Sequence, residues 1–73
     1  MKKTFEIEDL DCAHCAAKME NAIREIKGVT EVSLSFFAQK LTIEAPDEEF
    51  DRIVKEAVKV CKKIEPDAVI KVK

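Results

Sequence analysis

Thr4-Phe5-Glu6-Ile7-Glu8-Asp9-Leu10-Asp11-Cys12-Ala13-His14-Cys15-Ala16 is the stretch on which the reading of the fold turns. At its start, apolar Phe5 and Ile7 alternate with Thr4, Glu6 and Glu8, the period of a short half-buried strand. Asp9-Leu10-Asp11 breaks that period and reads as a loop. From Ala13 to Lys27 the pattern turns helical. Ala16, Met19, Ile23 and Ile26 recur at spacings of three and four, while Lys18, Glu20, Arg24 and Glu25 mostly fall on the other side. Gly28, the only glycine in the chain, stands where a helix C-terminus wants positive φ.

The remaining residues repeat this strand-to-helix alternation. Val29 to Phe36 alternates, with Val32, Leu34 and Phe36 on one face. Leu41, Ile43 and Ala45 resume the pattern after a short link at Phe37-Ala38-Gln39, which predicts an antiparallel hairpin. Pro46 stops the second run. Asp47 is the expected N-cap of a second helix, with Glu48 and Glu49 in the first turn, where the helix dipole favours negative charge. Phe50, Ile53, Val54, Ala57, Val60 or Cys61, and Ile64 form its apolar stripe, and Lys59, Lys62 and Lys63 sit toward its C-terminal end. Pro66-Asp67 breaks the chain, and Ala68, Ile70 and Val72 alternate as a last strand. The order β-α-β-β-α-β predicts an α+β, ferredoxin-like fold, a four-stranded antiparallel sheet with both helices on one face. Residues 1–73 read as a single domain with no internal linker, and the two βα halves form a weak internal repeat.

Composition narrows the function. A chain of 73 residues buries only about 60% of its unfolded surface, enough for one thin core but not for a deep substrate cavity. Its 47% apolar and 38% charged residues suit an ordinary globular protein rather than a disordered one. No apolar run approaches the roughly 20 residues that span a bilayer, and the N-terminus has no apolar signal region. The formal net charge of −2, with both signs interspersed, gives no nucleic-acid footprint. Three cysteines are an odd number for a disulfide framework. The expected setting is therefore the reducing cytoplasm, where paired thiols serve metal or redox chemistry.

The pair is Cys12-Ala13-His14-Cys15. Two cysteines at this spacing, where a loop enters a helix, can aim both sulfurs at one ion. The free N–H groups and partial positive charge of the helix start favour thiolate, and Lys18 one turn on adds to this. Soft sulfur ligands select Cu(I), zinc-group ions and other thiophilic metals. A c-type haem would need His directly after the second cysteine, where Ala16 stands. A structural zinc site would need four protein ligands, and the chain offers one cysteine pair and one histidine. A thioredoxin-type redox pair remains the competitor, though the chain is short for that fold.

Leu10-Asp11-Cys12-Ala13-His14-Cys15-Ala16, set between a first strand and a first helix in a βαββαβ chain, resembles the heavy-metal-associated domain. That family includes freestanding copper chaperones and N-terminal domains of metal-transporting P-type ATPases, and its motif reads Gly-Met-Thr/Asp-Cys-x-x-Cys. The resemblance extends through Gly28-Val29 and Lys40-Leu41-Thr42-Ile43. It implies metal binding by Cys12 and Cys15 and transfer of the ion by ligand exchange. Here Leu10 replaces the usual Met, Asp9 the usual Gly and Asp11 the usual Thr. Lys62-Lys63-Ile64-Glu65-Pro66 occupies the place of the Gly-Tyr or Gly-Phe pair common in copper-type members. These departures resemble the domains of zinc-, cadmium- and lead-exporting ATPases.

Charge and ligand number lean the same way. Two thiolates satisfy Cu(I), whereas a divalent zinc-group ion prefers about four ligands including harder donors. The Asp11 carboxylate is then a candidate third ligand, and it reads equally well as a charge at the helix N-terminus. The favoured cargo is Zn(II), Cd(II) or Pb(II), with Cu(I) the alternative. His14 reads as an exposed loop side chain, with ligation the alternative. Cys61 reads as a small core hydrophobe, with a third thiolate the alternative. Lys63 reads as a solvated lysine, and Phe37 as an exposed residue at the hairpin that can touch a partner. The expected role is a monomeric, non-catalytic N-terminal domain of a heavy-metal-exporting P-type ATPase on the cytosolic side of the membrane. Its partners are the other domains of such an ATPase or a metallochaperone, with no nucleic acid and no membrane insertion. The rival roles are a freestanding Cu(I) metallochaperone and a dithiol oxidoreductase acting through Cys12 and Cys15.

Overall fold

A computed structural model describes residues 1–71. Its elements are β1 (Lys2–Glu8), α1 (Ala13–Arg24), β2 (Glu31–Ser35), β3 (Lys40–Glu44), α2 (Asp47–Ile64) and β4 (Val69–Lys71). The strands form one sheet in the order β2-β3-β1-β4, with every neighbouring pair antiparallel. This is the predicted ferredoxin-like plan. Val72, expected to continue the last strand, lies outside the described residues.

The period of two places alternate strand residues on opposite faces. Phe5, Ile7, Val32, Leu41, Ile43 and Ile70 turn inward, where Ala16, Met19 and Ile23 of α1 and Phe50, Ile53, Ala57 and Cys61 of α2 cover them. Met19, Ile23, Leu41, Ile43 and Ile53 are fully buried, and each such side chain stabilises the fold by roughly 1.5–3 kcal/mol relative to exposure. Phe5 stacks on Phe50 with ring centroids 6.3 Å apart. The outer face of the sheet is polar; there Thr4 and Thr42 hydroxyls meet at 3.0 Å across β1 and β3. No helix of the described residues is long and apolar enough to cross a membrane.

Several boundaries differ from the sequence reading. Helix α1 ends at Arg24 rather than Lys27: the Glu25 amide is shared between the Asn21 and Ala22 carbonyls, and the Ile26 amide turns back to Ile23. Gly28 does have positive φ, at 103°, but in the turn beyond the helix, where an added Cβ would meet Ile53 Cδ1 at 3.0 Å. At α2 the cap is Pro46, not Asp47. Pro46 is extended (φ −58°, ψ 141°) and Asp47 is the first helical residue, so its charge joins Glu48 and Glu49 in the first turn. Finally, Val29, Phe36, Ala45 and Ala68 fall just outside β2, β3 and β4, although all four still pack on the core.

Candidate metal centre

The Cys12/Cys15 loop lies at the end of the molecule where β1 runs into α1. Two features set its shape. Asp9 adopts φ 61°, a left-handed conformation that aspartate tolerates better than most residues and that glycine takes freely. Leu10 then plunges into the core with 3% of its surface exposed, an apolar anchor beneath the loop.

A residue distant in sequence holds the loop to the hairpin. Gln39 Nε2 donates to the Leu10 carbonyl at 2.9 Å and to the Phe36 carbonyl at 2.8 Å, while Gln39 Oε1 accepts from the Leu10 amide at 3.2 Å. The Ile7 amide donates to the Gln39 carbonyl at 2.8 Å. Gln39 itself has φ 55°. These bonds satisfy backbone groups that would otherwise be stranded beside the core. Sequence reading placed Gln39 in a connection and missed this brace, because periodicity carries no information about a contact between side chain and backbone across the fold.

Cys12 is the N-cap of α1 in extended geometry, and its Sγ accepts the Cys15 amide at 3.2 Å. Both cysteines are half-exposed and free. Ala13 and His14 between them are exposed, as expected when the two sulfurs converge. His14, however, belongs to the first turn of α1 rather than to the loop.

The two thiols titrate in opposite directions. Cys12 is lowered, first by the hydrogen bond from the Cys15 side chain and then by the Cys15 amide. Cys15 is raised, first by side-chain hydrogen bonding with Cys12, then by burial, with the charges of Cys12 and Glu65 adding and that of Lys18 opposing. The expectation that the helix N-terminus favours thiolate at both positions thus holds for Cys12 alone. Cys12 is thus the more thiolate-prone of the two sulfurs, and thiolate is the form that attacks and binds metal.

Asp11 is exposed. Cys61 is 1% exposed on the inner face of α2, and burial pushes its thiol up to about 11, as befits a core residue. Lys63 is exposed, and Phe37 is 97% exposed at the hairpin turn. Among the described residues, no three His, Cys, Asp or Glu side chains are gathered ready to hold an ion. Glu65, in the loop after α2, does reach Cys15: its Oε2 accepts from Cys15 Sγ at 3.9 Å. A half-exposed dithiol at a helix N-terminus fits a thiophilic ion, and a third donor would come from a side chain moving in.

A family model for the heavy-metal-associated domain matches residues 4–66. The chain belongs to that family, whose members are metal-binding, non-catalytic domains that receive and pass on heavy-metal ions. It is 32% identical over all 73 of its residues to a cadmium, zinc and cobalt-transporting ATPase of Bacillus subtilis, of which it spans 10% of the length. It is 30% identical over 64 residues to the copper chaperone CopZ of Enterococcus hirae, covering 88% of this chain and 86% of CopZ. Among solved structures, the N-terminal domain of a potential copper-translocating P-type ATPase from Bacillus subtilis, Cu(I)-loaded, superposes with a TM-score of 0.75. That superposition is at 27% identity and covers 96% of this chain and 85% of that one.

Proposed function

We propose that this chain binds one divalent thiophilic ion, Zn(II), Cd(II) or Pb(II), through Cys12 and Cys15, and passes it on by ligand exchange as the metal-binding domain of a heavy-metal-exporting P-type ATPase. The observation that carries this reading is the pairing of a thiolate-prone Cys12 with Cys15 at the start of α1, directly after the carboxylate of Asp11. The ion is cargo. It arrives on the Cys12 thiolate, and Cys15 releases its proton to solvent as its sulfur joins. Asp11 supplies a harder oxygen donor of the kind a divalent ion takes and Cu(I) does not need. Because both sulfurs are half-exposed, an incoming donor can attack the ion before either thiolate leaves, which is what exchange between two proteins requires. The partners would be the other domains of such an ATPase or a metallochaperone, with the domain acting as a monomer on the cytosolic side of the membrane.

A second reading is a freestanding Cu(I) metallochaperone, supported by the near full-length match to CopZ. Competition titration of the reduced protein with Zn(II), Cd(II), Pb(II) and Cu(I), repeated on Asp11→Ala, separates the two. The ATPase-domain reading expects Asp11→Ala to weaken the divalent ions and spare Cu(I). A Cu(I) preference indifferent to Asp11 would favour the chaperone.

A further inference from the structure

We propose that the outer edge of β2 is a docking surface for a second copy of this chain, and that the Glu20 side chain of α1 holds it shut. The inference stands apart from the metal reading and holds whichever ion the cysteine pair carries.

Among the described residues β2 is an outer strand of the sheet, paired with β3 alone. In an antiparallel pair, successive residues point their backbone groups alternately toward the partner strand and away from it. The Leu34 amide points away from β3: it donates instead to Glu20 Oε2 at 2.8 Å. Val32, two residues earlier, shares that outward direction, while Ser33 between them turns its backbone groups to Thr42 of β3. The Glu20 side chain is half-buried, and its other oxygen lies 3.5 Å from Arg24 Nη2. An uncovered edge strand is a template for another strand. Here a carboxylate occupies one of the amides that such a strand would need.

The strand that fits this edge is β2 itself. Turned antiparallel about Ser33, the sequence Glu31-Val32-Ser33-Leu34-Ser35 sets Val32 opposite Leu34 of the second copy. Each such pair exchanges both of its N–H···O bonds, which uses every outward amide and carbonyl of the two strands. Val32 and Leu34 meet on the inner, apolar face. On the outer face Ser33 meets Ser33, and Glu31 meets Ser35. No like charges fall directly opposite one another, the placement that would oppose pairing. A slip of one residue would set core side chains against solvent-facing ones, so the register is fixed. When Glu20 swings off the Leu34 amide, one continuous sheet can run through both copies. With Glu20 seated, the chain stays single.

The test is sedimentation equilibrium of the whole chain, metal-free and fully reduced, so that neither a bridging ion nor a disulfide links two copies. The parent is compared with Glu20→Gln, Glu20→Ala and Glu20→Ala/Ser33→Lys, each checked for folding by thermal unfolding. Glu20→Ala should self-associate at least about tenfold more tightly than the parent, because a charged acceptor no longer competes for the Leu34 amide. Glu20→Gln, whose amide oxygen is a weaker acceptor than a carboxylate, should fall between them, and it decides the matter if Glu20→Ala does not fold. Ser33→Lys puts like charges face to face in the proposed register and should return the double variant to the parent's behaviour. In Glu20→Ala, the Val32 and Leu34 amides should gain protection from hydrogen exchange as protein concentration rises. Equal association of the parent and the Glu20 variants would overturn the latch. Association that survives Ser33→Lys would place the contact on another surface and overturn the β2 edge.

Discussion

The Cys15 amide donates to the Cys12 sulfur at 3.2 Å, so one proposed ligand caps the helix that carries the other. The site is thereby built into the start of α1 rather than hung on a free loop. Capping and metal binding can be separated, because a hydroxyl oxygen accepts an N–H bond better than sulfur does. Cys12→Ser should keep the stability of the metal-free protein or raise it by a few tenths of a kcal/mol, while Cys12→Ala should lose up to about 1 kcal/mol. Both should lose metal binding. Urea unfolding with parallel titration checks this, and equal stabilities for the two variants would remove the capping role.

The opposite shifts of the two thiols set an order of reactivity. Cys12 is lowered and Cys15 raised, so as pH rises Cys12 gains thiolate first. Iodoacetamide labelling of the metal-free protein near neutral pH, followed by peptide mass mapping, should modify Cys12 several-fold faster than Cys15, with Cys61 slowest of the three. Labelling of Cys15 ahead of Cys12 would contradict this order.

Much of this was legible in the sequence, and the failures have physical causes. Alternation at Phe5/Ile7 and Leu41/Ile43 fixed strand type and face because one side of the sheet is core and the other solvent. The end of α1 was overrun because Ile26 stays half-buried after the chain has left the helix, so the apolar stripe outlasts the hydrogen bonds. Asp47 fits both the N-cap and the first-turn preference; Pro46, extended by its ring constraint and the break before α2, takes the cap. Cys12 and Cys15 were visible as neighbours in sequence. Gln39 and Glu65 were not, because each reaches the loop from a distant segment and neither belongs to a periodic pattern.

Cys61 should give the fold an alkaline weakness. Its thiol is raised from the ordinary 9.0 to about 11 in the folded chain. Between those values the unfolded chain has released a proton that the folded chain still holds, so stability falls as pH rises through that window, by on the order of 2 kcal/mol. In Cys61→Ala, the difference in urea stability between pH 8 and pH 11 should shrink by about that amount. Lysine titration is common to both proteins and cancels in the comparison. An unchanged slope would place the thiol outside the core.

The Gln39 brace predicts a mechanical effect at the site. Gln39→Ala strands the Leu10 amide and carbonyl and should cost about 1–3 kcal/mol. Hydrogen exchange at the Leu10 amide should accelerate beyond what global destabilisation accounts for, since this bond is lost even in the folded state. Protection equal to the parent after correction for stability would show that the loop holds its shape without Gln39.

The central claim is that Cys12 and Cys15 together hold the ion, and equilibrium dialysis of the reduced protein against Cd(II) tests it most directly. The parent should bind one Cd(II) per chain, and the double variant Cys12→Ser/Cys15→Ser, with Cys61 left in place, should bind none at the same concentration. Stoichiometric Cd(II) binding by the folded double variant would contradict the account and move the metal centre elsewhere in the chain.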